Sequence, residues 1–125
     1  MLDHLSLGTT DLERAAAFYD AALAPLGIVR VWSFPDAVGY GPPGGEDKLA
    51  ILRRPGFVAP GPGFHLALTA RTRAEVDAFF RAALAHGGRD DGEPGPRPQY
   101  GPGYYAAFVV DPDGHHLEAV RHEGP

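Results

Sequence analysis

Cysteine is absent from the 125 residues. The chain therefore has no disulfide framework, no thiolate metal cluster and no cysteine nucleophile, and any metal must be held by histidine and carboxylate side chains. Lysine is nearly absent as well: one Lys stands beside ten scattered Arg, against sixteen Asp plus Glu, for a formal net charge of −5. The basic footprint of a nucleic-acid binder is missing. Long apolar runs are missing too. No stretch approaches the ~18 residues needed to cross a bilayer, and Met1-Leu2-Asp3-His4 is neither basic nor followed by a signal-type apolar core, so the reading is a cytoplasmic chain with no membrane partner.

What is abundant is glycine and proline, 30 residues together, of which 20 fall in Gly39 to Gly45, Pro55 to Gly63 and Gly92 to Gly103. These three stretches read as loops, and the rest of the chain carries the periodic segments of one folded domain spanning 1–125. Thr10-Asp11-Leu12-Glu13 has the form of a capping box, followed by Leu12, Ala15, Tyr19, Ala22, Leu23 and Leu26 at helical spacing and stopped by Gly27. Thr72-Arg73-Ala74-Glu75 repeats the device ahead of Val76, Phe79, Phe80, Ala83 and Leu84, with Gly87-Gly88 as the stop. Alternating or β-rich stretches at 3–8, 29–34, 37–41, 48–53, 64–69, 104–110 and 116–121 read as strands, the last two joined by the turn Asp111-Pro112-Asp113-Gly114.

The chain also repeats itself. A shift of 61 residues lays Asp3 to Gly27 over Phe64 to Gly88 with ten identities in 25 pairs, His4 on His65 among them. A shift of 68 lays 48–53 over 116–121, which makes Ala50 the counterpart of Glu118. The first half thus reads strand, helix, three strands, and the repeat sets the second half on the same plan. The fold expected is α+β, two tandem βαβββ units at about 1–55 and 62–125 forming a cup-shaped, mostly antiparallel sheet with helices outside.

On strand alternation, His65, Ala67 and Thr69 share one face, and His116, Glu118 and Val120 another, while His4 and Ser6 repeat the pattern of the first of these. Two imidazoles and a carboxylate, His4, His65 and Glu118, make a donor set that leaves coordination positions open for substrate or water and suits Fe, Mn, Zn, Ni or Co as a divalent ion. His116 is the alternative ligand if the register shifts. Tyr104 and Tyr105 are candidate proton-moving groups beside it. Of the other histidines, His115 reads as turn-exposed and His86 and His122 as solvent-facing. Trp32, Phe34, Tyr40, Phe57, Tyr100 and Phe108 could line a pocket but read individually as packing, and Arg30, Arg53, Arg54 and Arg97 as surface charge.

The paired βαβββ pattern, His4 and His65 at matching places, the phrase Asp11-Leu12-Glu13-Arg14 with Phe18-Tyr19, and the closing Asp111-Pro112-Asp113-Gly114-His115-His116-Leu117-Glu118 together resemble the vicinal oxygen chelate superfamily. This is the group of glyoxalase I, fosfomycin-modifying enzymes, extradiol dioxygenases and bleomycin-resistance proteins. The resemblance implies a metal held by His4, His65 and Glu118 in a cup-shaped sheet, a small organic substrate chelated through vicinal oxygens, lyase, isomerase or dioxygenase chemistry, and a homodimer. Its other branch implies metal-free sequestration of a planar molecule. Ala50 stands where glyoxalase I would present a fourth, proton-shuttling ligand, which favours a three-ligand pattern.

Overall fold

The computed structural model describes residues 1–124. Its element order is the expected repeat: β1 (Leu5–Thr9), α1 (Leu12–Leu23), β2 (Val29–Phe34), β3 (Ala37–Gly41) and β4 (Leu49–Arg53), then β5 (Leu66–Thr69), α2 (Arg73–Ala85), β6 (Arg89–Pro96), β7 (Tyr104–Val110) and β8 (His116–His122). The strands form two four-stranded sheets of identical design, β1-β4-β3-β2 and β5-β8-β7-β6. In each, the first strand pairs in parallel with the last and the remaining pairs are antiparallel. None of the described helices is long and apolar enough to cross a membrane.

Both helices start where a side chain accepts from a free backbone N–H of the first turn. Thr72 Oγ1 accepts from Glu75 N at 3.1 Å, as the sequence predicts. In α1 the cap is Asp11 rather than Thr10, its carboxylate accepting from Arg14 N at 3.1 Å. A carboxylate is as good a cap as a hydroxyl, and the Thr10 reading was one residue early. Gly27 ends the α1 segment at φ +78°, a conformation that would cost any side chain strain.

The apolar stripes of the helices meet over one shared core. Phe18, Tyr19, Ala22 and Leu23 of α1 and Val76, Phe79 and Ala83 of α2 pack with Leu7, Val38, Tyr40, Leu49 and Ile51 from the first sheet and Ala107, Val109, Leu117 and Ala119 from the second. Since strand residues alternate, every strand that gives its odd- or even-numbered side chains to this core presents the others on the opposite face of its sheet. That outer face carries the candidate site.

Two sequence expectations are corrected here. The stretch Gly92 to Gly103 was read as loop throughout, yet β6 runs through it as far as Pro96. It is an edge strand with register shifts at Asp90/Gly92 and Gly92/Gly95, the one setting in which proline and glycine are tolerated in a sheet. The turn Asp111 to Gly114 forms as expected, with Asp111 accepting from the N–H of Asp113 and of His115. His115, read as turn-exposed, is 2% exposed. Its ring lies between Phe57 and Phe64 and Nε2 donates to the Gly8 carbonyl at 2.9 Å, because the turn folds back against the first unit.

Candidate functional site

The outer face of the second sheet gathers four of the residues singled out in the sequence. His65 immediately precedes β5, Glu118 lies in the middle of β8, and the ladder sets Glu118 between Ala67 of β5 and Phe108 of β7. Tyr104 is on the same face of β7 as Phe108, four residues away. His65 Nε2 donates to Glu118 Oε1 at 3.0 Å, and the Tyr104 hydroxyl donates to Glu118 Oε2. Both carboxylate oxygens of a side chain that is 2% exposed are thereby engaged, as a buried carboxylate requires. His65 itself stays half-exposed at the mouth.

These three residues with Tyr100 and Phe108 line a cavity of about 320 Å³. Tyr100 stacks edge-on against Tyr104 at 5.3 Å. Phe108 is covered on one side by the Arg97 guanidinium, 5.3 Å from the ring centre. Burial, followed by the bond to Glu118, pushes the Tyr104 phenol up to about 12. It is thus a firmly protonated donor that fixes the carboxylate, and a poor base.

Tyr105 is not part of this set. One residue further along β7, it points to the core side, where its hydroxyl donates to Asp77 Oδ1 at 2.7 Å and Arg73 lies 4.6 Å above its ring. His116, two residues before Glu118, shares its face but pairs with Asp91 of β6 at 2.9 Å. It lines a neighbouring cavity with His65, Tyr100 and Phe108. Tyr100 and Phe108 were legible only as possible pocket residues. For Phe108 the deciding signal is parity, since it and Tyr104 are both even-numbered on one strand.

His4 precedes β1 as His65 precedes β5, and its exposed ring donates from Nδ1 to Asp3 Oδ1 at 2.6 Å. That bond holds the imidazole above its ordinary pKa. Within one chain it is not brought to Glu118: among the described residues no group of three or more His, Cys, Asp or Glu is placed to hold a metal ion. The first sheet's ladder sets Ala50 between Ser6 and Gly39, the same register as Glu118 between Ala67 and Phe108, so Ala50 is the true counterpart of Glu118. Trp32 lies across Gly39, where a Cβ would stand 2.2 Å from the indole.

Two βαβββ units in tandem, each with a histidine before its first strand and one with a carboxylate inside its last, define the class. Residues 1–119 match the family model described as Glyoxalase/Bleomycin resistance protein/Dioxygenase superfamily, and the chain belongs to that superfamily. It is similar to a glyoxalase/bleomycin resistance protein from Albidiferax ferrireducens T118, at 32% identity and a TM-score of 0.81 over 94% of both chains. A glyoxalase-related enzyme from Fulvimarina pelagi is 26% identical, with a TM-score of 0.72 over 94% of this chain and 85% of that one. The bleomycin resistance determinant encoded on the transposon Tn5 shares the fold, at 24% identity and a TM-score of 0.64 over 95% of each chain. No curated protein matches the chain significantly.

Proposed function

We propose that the protein is a divalent-metal-dependent enzyme acting on a small organic substrate through vicinal oxygens, with His65 and Glu118 of one chain and His4 of a second copy as the metal ligands. The observation that carries this reading is the pairing of His65 Nε2 with Glu118 Oε1 at 3.0 Å. An imidazole nitrogen and a carboxylate oxygen this close could both serve one ion, which would take the place of the proton between them. The donor types fit as well, because two neutral imidazoles and a carboxylate leave positions open.

The remaining residues fall into supporting roles. Tyr104 would hold Glu118 in a fixed rotamer, and Asp3 on Nδ1 of His4 would leave Nε2 for the metal, as carboxylates behind metal-bound histidines do. Tyr100 and Phe108 give the cavity aromatic walls and exclude water beside the ligands. When bound, the metal supplies Lewis-acid stabilisation of charge developing on the chelated oxygens. Ala50 offers no proton-moving group in the first unit, which weighs against glyoxalase-type proton shuttling. The reading requires a homodimer, because His4 and Glu118 are apart within one chain, and a pseudo-twofold pair of units would offer equivalent edges to a second copy.

Plasma mass spectrometry on protein purified without chelator tests this directly, with about one transition metal per chain expected and its loss in His4→Ala, His65→Ala and Glu118→Ala. A mixed dimer of His4→Ala and Glu118→Ala chains retains one intact site if the ligands come from two chains, so it should hold about half the metal of the unmodified dimer. A mixed dimer with no metal would overturn the shared site. No metal in the unmodified protein, even after reconstitution, would overturn the enzyme reading in favour of a sequestering protein that uses the aromatic cavity alone.

A further inference from the structure

The two units also differ in what fills the space between helix and sheet. In the second unit α2 packs along β6, β7 and β8, and Tyr105 is wedged between strand and helix. Asp77 accepts from its hydroxyl at 2.7 Å and Arg73 covers its ring at 4.6 Å. The 61-residue repeat places Leu12 at the position of Arg73 and Ala16 at that of Asp77. The ladders equate Phe108, opposite Glu118, with Gly39, opposite Ala50, so the counterpart of Tyr105, three residues before Phe108, is Asp36.

Asp36 has no ring, and its carboxylate turns away to Arg53 at 2.7 Å. Every part of the clasp around Tyr105 is therefore replaced in the first unit by something shorter or apolar. The consequence is a cavity of about 730 Å³ between α1 and the β2–β3 side of its sheet, whose walls include Leu12, Ala16, Val38, Asp20, Arg30 and Arg53. It lies within the usual range of small-molecule sites, roughly 300–1,000 Å³. Its polar edge is already arranged: Arg30 holds Asp20 through Nε at 3.2 Å and Nη2 at 2.7 Å, the Tyr40 hydroxyl donates to Asp20 Oδ1 at 2.8 Å, and Asp20 Oδ2 keeps a lone pair for a further donor.

We propose that this groove is a second ligand site, separate from the Glu118 cavity, that takes a small phenolic compound. The ring seats against Leu12, Ala16 and Val38 in the place that the Tyr105 ring occupies in the other unit, and the hydroxyl donates to Asp20 Oδ2 one helical turn beyond Ala16. In the second unit the Tyr105 ring fills the corresponding place; in the first, Asp36 leaves it open and the buried Tyr40 reaches Asp20 from the core side.

The test is titration of ¹⁵N-labelled protein with p-cresol, the side chain of tyrosine, against 4-methylcyclohexanol as a non-planar control of similar size. Saturable shifts are expected at the amides of Leu12, Ala16, Ala17 and Val38 with millimolar affinity, weaker by about tenfold for the control. Ala17→Trp, on the exposed face of α1 at the rim, should abolish them. So should the graft Leu12→Arg with Ala16→Asp and Asp36→Tyr, which rebuilds the clasp and supplies its own ring. Shifts confined to Tyr104, Phe108 and their neighbours, no saturable shift at α1, or unchanged binding by Ala17→Trp would overturn the proposal. None of these outcomes depends on the metal, so the result stands apart from that of the Glu118 site.

Discussion

The first sheet and the second have the same strand order, the same parallel closing pair and the same register, yet they present different chemistry. On the second, Glu118 is flanked by His65, Tyr104 and Phe108, with both carboxylate oxygens bonded. On the first, the equivalent position is Ala50, and Trp32 lies flat over the Gly39 that stands in for Phe108. The faces turned to the core are apolar in both units, with Leu5, Leu7, Leu49 and Ile51 in the first answered by Leu66, Leu68, Leu117 and Ala119 in the second. The core and the candidate site thus draw on opposite parities of the same strands. Packing keeps the core parity of the first and last strands apolar, whereas their outer parity exchanges Ala50 for Glu118 between the copies.

The largest expected effect comes from forcing the two outer faces to match. Gly39→Phe installs the second unit's residue in the first. Its Cβ would stand 2.2 Å from the Trp32 indole, so overpacking should cost about 3 kcal/mol in urea unfolding. Trp32→Ala in the same chain should recover most of that loss, as a double-mutant cycle would report. Equal costs with and without Trp32 would mean that the two faces are not built around this exchange.

Next in size is Tyr104→Phe, which leaves Glu118 Oε2 buried without its donor. In the proposed metal site, removing such an outer hydrogen bond should weaken metal retention by about 10–100-fold, read by competition with a chelator. Tyr105→Phe, on the opposite parity, should leave metal retention unchanged. If both variants behave alike, the separation of faces fails as an account of the site.

A third prediction concerns the contact between the units. Tyr19 donates to Asp111 Oδ2 at 2.5 Å across the core. Burial is the main cause raising the Asp111 carboxyl above 3.8, and the Tyr19 bond opposes it. A carboxyl raised in the folded state contributes stability that is fully present below its unfolded value and is lost as pH rises through the folded one. Tyr19→Phe removes an opposing bond and raises Asp111 further. Its cost, about 1–3 kcal/mol near neutral pH, should therefore shrink as the pH is lowered toward 3.8.

Most of this architecture was legible in the sequence because local signals and the internal repeat agree. Caps and glycine stops bracket both helices, and β2, β3 and β7 fall on the stretches that alternation marks out. The pair His65 and Glu118 was reachable because the repeat aligned one histidine with another and strand parity put a carboxylate on an outer face. What escaped is tertiary in origin. β6 is strand because β7 offers it a ladder, against the preference of Gly92, Pro94, Gly95 and Pro96. His115 is buried because the turn docks on Gly8 and the aromatic rings of Phe57 and Phe64. That His4 stands apart from Glu118 within one chain depends on how the two units pack, and no local pattern encodes it.

The smallest effects lie at the helix starts, where the units solve one problem with different residues. Asp11 caps α1 through Arg14 N and Thr72 caps α2 through Glu75 N, both at 3.1 Å. Each Ala substitution should lower stability by about 1 kcal/mol, because one first-turn N–H loses its partner. Exchanging the caps instead, as Asp11→Thr and Thr72→Asp, should change stability by only a few tenths of a kcal/mol. The aspartate version of either cap should lose part of its advantage in high salt, since only the carboxylate interacts with the helix dipole as a charge. Urea midpoints of the four single variants at low and high salt would show this. A cost for either exchange as large as for alanine would mean that the caps carry contacts specific to their own unit and are not interchangeable parts of a repeated design.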